Sequence, residues 1–287
     1  MLPLPNRVAW RCVRYYARFA MFLAADIGNT NVTFGLWDHS KLLHTFRASS
    51  VRTRTSDEYA VLIQQMILLR KVDDRRIEGA IIASVVPQLT EVLVNAIRTV
   101  YAREPLIVGP GLRTGMPILC DNPREIGADR IVNSVAAFER LRQAVIVVDI
   151  GTATTFDCVS AAGEYLGGVI LPGVTVSLDA LFARAAKLSH VELVEPPRAL
   201  GRNTAQALQS GVVFGYAAMI DGLVRRLSEE MGGVCRTIAT GGLAPLVTKH
   251  AETIESVDMD LTLCGLQILY ARSCGNTPDK GSRQQTP

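Results

Sequence analysis

The sequence predicts an α/β protein made of two duplicated lobes. A short phrase occurs twice, as Asp26-Ile27-Gly28-Asn29-Thr30-Asn31-Val32-Thr33-Phe34 and as Asp149-Ile150-Gly151-Thr152-Ala153-Thr154-Thr155-Phe156. Each copy closes an apolar run, Met21 to Ala25 and Ala144 to Val148, of the kind that forms a buried strand. Each half also reads strand, strand, strand and then helix alternating with strand. A chain of 287 residues is long enough for two such lobes, each with its own core.

In the first lobe, residues 21–26, 31–38 and 42–48 read as strands joined by tight turns, an antiparallel start. Ser56-Asp57-Glu58 opens an amphipathic helix to about Arg70, with Ser56 as its N-cap and acids in the first turn. Gly79 to Val85 is a buried strand, and Pro87 suits the first turn of a helix that runs to about Tyr101. Leu106 to Val108 is a short strand, 109–117 a Gly/Pro-rich loop, and Asp129 to Arg142 a helix. In the second lobe strands fall at 145–150, 154–159 and 164–171, followed by helices at 174–187 and from Thr204 to about Met231. Cys235 to Thr240 is a strand turned by Gly241-Gly242 into a helix N-terminus, and Leu261 to Arg272 is the closing helix. The lobes are placed at 21–142 and 143–272, between a basic leader (1–20) outside the fold and a disordered tail (273–287).

Bulk properties exclude several classes. At 48% hydrophobic and 20% charged, the chain has the composition of a soluble globule, and no apolar run approaches the roughly 20 residues of a membrane span. The six cysteines contain no Cys-x-x-Cys pair, which predicts reduced thiols in a cytoplasmic protein rather than disulfides or zinc. Arg7, Arg11, Arg14 and Arg18 in the leader outweigh the whole net charge of +3, so the body is slightly acidic. No nucleic-acid face is expected. The leader itself, with Trp10, Tyr15 and Tyr16 among its arginines, reads as a targeting peptide, a membrane-surface helix, or a start upstream of the true one at Met21.

The repeated phrase suits phosphate and its counter-cation. Glycine lets the backbone approach closely, Thr and Asn supply hydrogen bonds, and Asp holds a cation or its water. Two copies suggest two lobes facing a nucleotide, although each alone is equally an ordinary hairpin. Thr240-Gly241-Gly242 either lies against adenosine or phosphate or is a plain strand-to-helix turn. Phosphoryl transfer further asks for a base. Asp129, after Gly127-Ala128 and before Arg130, is placed as a base or as a helix cap, and the residues alone leave both open.

Paired halves of this kind are the architecture of the superfamily of actin, the heat-shock chaperone ATPases and the sugar kinases, with ribonuclease H-like lobes and ATP in the cleft between them. From Met21 to Arg272 the chain resembles, more narrowly, the type III pantothenate kinases. The two Asp-Ile-Gly phrases carry the resemblance, with Asn122-Pro123, Gly127-Ala128-Asp129-Arg130, Gly167-Gly168, Pro172-Gly173, Gln209-Ser210-Gly211 and Thr240-Gly241-Gly242-Leu243-Ala244. It implies ATP-dependent phosphorylation of pantothenate to 4′-phosphopantothenate, the first step of coenzyme A synthesis, by a cytoplasmic homodimer. It implies ATP contacts from Asp26, Ile27, Gly28, Asn29, Thr30, Asn31, Val32, Thr33 and Thr152, and Mg²⁺ travelling with ATP, positioned through Asp26. Asp149 matches the ligand of a monovalent cation, K⁺ or NH₄⁺. Asp129 matches the general base, with Gly127, Ala128, Arg130 and Thr204 in the pantothenate site. Family members often carry Tyr in the pocket where this chain has Cys120. The alternatives are a non-catalytic ATP-binding regulator of the same fold, or a kinase with another small hydroxylated or carboxylate substrate. The intact Asp26, Asp129 and Asp149 favour the kinase, and no peptide-binding domain follows as in a chaperone.

Overall fold

The computed structural model describes residues 21–185 and 191–274, so the expectations for the leader, for 186–187 and for the tail beyond 274 lie outside it. The described residues form two compact units. The first comprises 21–115, 124–136 and 262–274, and the second 116–123 and 137–261.

In the first unit strands β1 (Met21–Ile27), β2 (Asn31–Asp38) and β3 (Lys41–Ser49) pair antiparallel, and β4 (Ile77–Ser84) and β5 (Leu106–Ile107) add parallel on the far side of β1. The order is β3-β2-β1-β4-β5. Central β1 is apolar on both faces because both are covered. Met21, Leu23, Ala25 and Ile27 share a core with Tyr59, Ile63 and Ile67 of helix α1 (Ser56–Leu68) and Leu89, Leu93 and Ile97 of helix α2 (Pro87–Tyr101). Side chains alternate along a strand, so Phe22 points the other way. It stacks on Tyr270 with ring centroids 4.2 Å apart. Tyr270 lies on α7 (Leu261–Ser273), and that contact, with Thr262 Oγ1 donating to Asn133 Oδ1 at 2.7 Å, explains why the closing helix belongs to the first unit and not to the expected 143–272 lobe. Helix α3 (Ala128–Leu141), expected whole in the first lobe, is divided instead, its first nine residues in the first unit and the rest in the second.

The second unit repeats the pattern. Strands β6 (Val145–Ile150), β7 (Ala153–Val159) and β8 (Tyr165–Pro172) are antiparallel, β9 (Arg236–Thr240) and β10 (Ser256–Val257) are parallel to β6, and the order is β10-β9-β6-β7-β8. Helix α4 (Val174–Arg184) follows β8. Ile146, Val148 and Ile150 pack on Ala217, Ile220 and Val224 of helix α5 (Thr204–Glu230) and on Ala244 and Val247 of the four-residue helix α6 (Ala244–Val247). By length and composition α5 would suit a membrane span, contrary to the sequence reading, but here one stripe of it is core. Its buried Asp221 accepts from the backbone N–H groups of Glu252 and Thr253 and from the Thr253 hydroxyl, at 2.7–3.0 Å.

One cap differs from expectation. Thr55, not Ser56, caps α1: the Glu58 N–H donates to Thr55 Oγ1 at 3.3 Å and the Thr55 N–H to Glu58 Oε2 at 2.7 Å, a reciprocal capping box.

Candidate active site

In the first unit, Asp26 sits half-buried near the end of β1, opposite Thr33. The strand turns at Gly28, whose N–H donates to the Asn31 carbonyl at 3.0 Å, leaving Asn29, Thr30 and Asn31 exposed at the hairpin tip. Ile27 and Val32 are buried beneath it. The Ile27 carbonyl accepts from the Val85 N–H at 3.0 Å. Gly127 packs on the Val85 side chain, where a Cβ would lie 3.4 Å from Val85 Cγ1. Val85 therefore sets the Gly127–Arg130 turn beside the hairpin.

Asp129 stands in the first turn of α3 and folds back. Its Oδ1 accepts from the Arg130 N–H at 2.8 Å, and a Cβ at position 127 would meet that oxygen at 2.5 Å. A side chain at position 127 would therefore displace the carboxylate from this position, which gives the Gly-Ala-Asp-Arg phrase a physical reason. Burial pushes the Asp129 carboxyl above its ordinary range, opposed by the Arg130 N–H and then by the Arg130 charge. Ala128 and Arg130 are half-buried beside it.

In the second unit Asp149, near the end of β6, lies opposite Thr155 of β7 and Thr240 of β9. The β6–β7 turn closes with the Gly151 N–H on the Ala153 carbonyl at 3.0 Å, and Thr152 is exposed at its tip. The Gly173 N–H donates to the Thr152 carbonyl at 3.1 Å, bringing the Pro172-Gly173 pair to this turn. Gly241 abuts it as well. At φ +95 it adopts a backbone that side chains disfavour, and a Cβ there would lie 2.5 Å from Asp149 Oδ1 and 2.6 Å from the Ile150 carbonyl. The chain of Thr240-Gly241-Gly242 is therefore packed against the Asp149 turn, more than a plain connection.

Other motif residues have structural partners. Cys120 Sγ lies 3.7 Å from where a Cβ of Gly167 would be, on β8. Thr204, exposed, begins α5 just after Asn203, whose side chain caps the helix by accepting from the Gln206 N–H at 2.8 Å. Gln209 Nε2 donates to the Glu192 carbonyl at 2.8 Å and Ser210 Oγ to the Ala199 carbonyl at 2.5 Å, clipping the segment before α5 onto the helix. Asp157 is buried and accepts from the Tyr165 hydroxyl at 2.8 Å, a core role that its place after the repeated phrase did not reveal. The described residues contain no cluster of three His, Cys, Asp or Glu side chains suited to a metal. Isolated carboxylates fit an oxygen-bound cation completed by phosphate, carbonyls or water, not a structural zinc.

Two sheets of the same order, each ending its central strand in an Asp-Ile-Gly turn, give the chain the duplicated, actin-like α/β fold. Solved structures share the fold: a Campylobacter jejuni protein titled for the Baf family (TM-score 0.55, 20% identical, 88% of this chain and 100% of that one) and component A of the Acidaminococcus fermentans (R)-2-hydroxyglutaryl-CoA dehydratase (TM-score 0.51, 12% identical, 89% and 99%). A family model described as type III pantothenate kinase matches residues 22–226. Proteins of that name from Moorella thermoacetica (49% identical, 88% of this chain and 100% of the relative) and Myxococcus xanthus (48%, 88% and 99%) align over 253 residues. The chain belongs to the type III pantothenate kinases.

Proposed function

We propose that this protein transfers the γ-phosphoryl group of ATP to the primary hydroxyl of pantothenate, forming 4′-phosphopantothenate and ADP at the entry to coenzyme A synthesis. Family membership supports the substrates, and the Asp129 carboxyl is the observation that carries the chemistry. It is folded back against Gly127, desolvated, and shifted upward toward the pH where it acts as a base. The Asp129 carboxylate takes the hydroxyl proton, the oxygen bonds to the γ-phosphorus, and the bond to the β,γ-bridging oxygen breaks as ADP leaves. Cys120, Gly127, Ala128, Arg130 and Thr204 are assigned to pantothenate, and the 26–33 hairpin with Thr152 to ATP. A divalent ion held with the nucleotide, which we assign as Mg²⁺ near Asp26, offsets phosphate charge when bound. Asp149 is assigned to K⁺ or NH₄⁺.

Edge strand β8 exposes Leu166 and Ile170, the latter 62% accessible. Exposed apolar side chains on an edge strand favour a homodimer, which we assign to this protein. We place the enzyme in the cytoplasm, in keeping with its scattered cysteines. The test is ADP release in a coupled assay with and without pantothenate. Release that depends on pantothenate is expected. Release independent of it, or faster with a sugar or acetate in its place, overturns the proposal.

A further inference from the structure

Ser50, just after β3, makes two hydrogen bonds to the tip of the β1–β2 hairpin. Its hydroxyl donates to the Gly28 carbonyl at 2.6 Å, and its own N–H donates to the Thr30 carbonyl at 2.9 Å. Both acceptors flank Asn29, exposed at the turn. In a trans peptide the carbonyl and the following N–H point in opposite directions. Drawing the Gly28 oxygen toward Ser50 therefore turns the Asn29 N–H away from Ser50, while the Asn31 backbone faces across the hairpin to Gly28. Two partial negative charges are held against β3 instead of being left to rotate outward. A phosphate approaching the tip then meets the Asn29 amide with its dipole fixed, the kind of donor that binds anions.

Ser50 is itself held from the core. The hydroxyl of Tyr59, a fully buried residue of α1, donates to the Ser49 carbonyl at 3.3 Å, and Ser49 lies in register with Asn31. A line of contacts thus runs from the packed helix, through the end of β3, to the hairpin tip.

We infer that Ser50 is a positioning residue for the ATP phosphates, acting through the Gly28 and Thr30 carbonyls; this rests on the reading of 26–33 as the phosphate hairpin. A residue that merely closed the end of β3 would affect all ligands of the unit alike. One that orients phosphate donors affects only ligands that carry phosphate.

Calorimetric titration of ATP and of adenosine, with Mg²⁺ and without pantothenate, separates the two for wild type, Ser50→Ala and Ser50→Thr. Ser50→Ala is expected to weaken ATP about five- to tenfold, the worth of one net hydrogen bond, and to leave adenosine unchanged. Ser50→Thr keeps the hydroxyl and is expected to bind ATP as wild type does. Equal weakening of ATP and adenosine, or no weakening of either, overturns the role of Ser50. Wild type binding ATP no more tightly than adenosine would overturn the hairpin reading and Ser50 with it.

Discussion

At Asp129 a carboxyl at a helix start is half-covered by its own fold and pushed above its ordinary range, chiefly by burial. An unfolded aspartate titrates at about 3.9, and the folded chain favours the neutral form more than the unfolded chain does. The contribution of this group to stability is full below the unfolded value and is lost as pH rises through the folded one. Asp129→Asn keeps an oxygen to accept from Arg130. Its Tm is therefore expected to gain on wild type as pH rises from about 4 to 8; a constant gap would mean the carboxyl pays no desolvation cost. Its turnover should fall at least about a hundredfold with ATP affinity retained, and wild-type kcat/KM should decline on the acid side with an inflection above about 3.9. Near-normal turnover would remove Asp129 from the mechanism. The placement of Asp26, Asp129 and Asp149 was legible because each follows a local pattern, an apolar run or a glycine pair. Ser50 was not, since its bond to Gly28 joins residues 22 apart in the chain, past the ends of different strands, and leaves no local trace.

Thr55 and Ser56 are adjacent hydroxyls, and acids in the following turn suit either as a cap. Only the spacing of Glu58, three residues after Thr55, selects the true one, because that side chain must reach back to the cap's own N–H. Strands and helices of seven or more residues were legible from their apolar periodicity. β10 and α6, of two and four residues, are too short to show any, and they form because β9 and α5 offer a place to pack. Asp221 marks such a place. It fixes the 252–253 loop to α5 through three bonds, two of them to backbone donors. Asp221→Ala would strand those donors and is expected to cost about 2–4 kcal/mol in urea unfolding. A loss under about 0.5 kcal/mol would show that water replaces the carboxylate.

At the scale of the whole molecule the duplication expected from two short phrases extends to complete sheets, β3-β2-β1-β4-β5 and β10-β9-β6-β7-β8. The phrases are similar because both end the central strand of the same sheet. Two predictions belong here. Ile170→Asp on edge strand β8 is expected to convert a dimer to monomers in sedimentation without changing the circular dichroism; an unchanged sedimentation coefficient would put the interface elsewhere. Replacing K⁺ or NH₄⁺ by Na⁺ or Tris should lower turnover, and equal rates would assign Asp149 another purpose. The division into units was less legible, since apolar periodicity shows that α7 is buried but not against which sheet.

That last placement governs when the protein can be made. Phe22 is translated near the start of the chain, while the Tyr270 ring that covers it is added some 250 residues later. At roughly 5–20 residues per second, the first sheet waits on the order of ten seconds or more on the ribosome with one apolar face bare. Nascent chains in that interval are the ones that chaperones and proteases meet. A premature stop before Leu261 would leave a first unit permanently unfinished, however intact its Asp26–Thr33 hairpin.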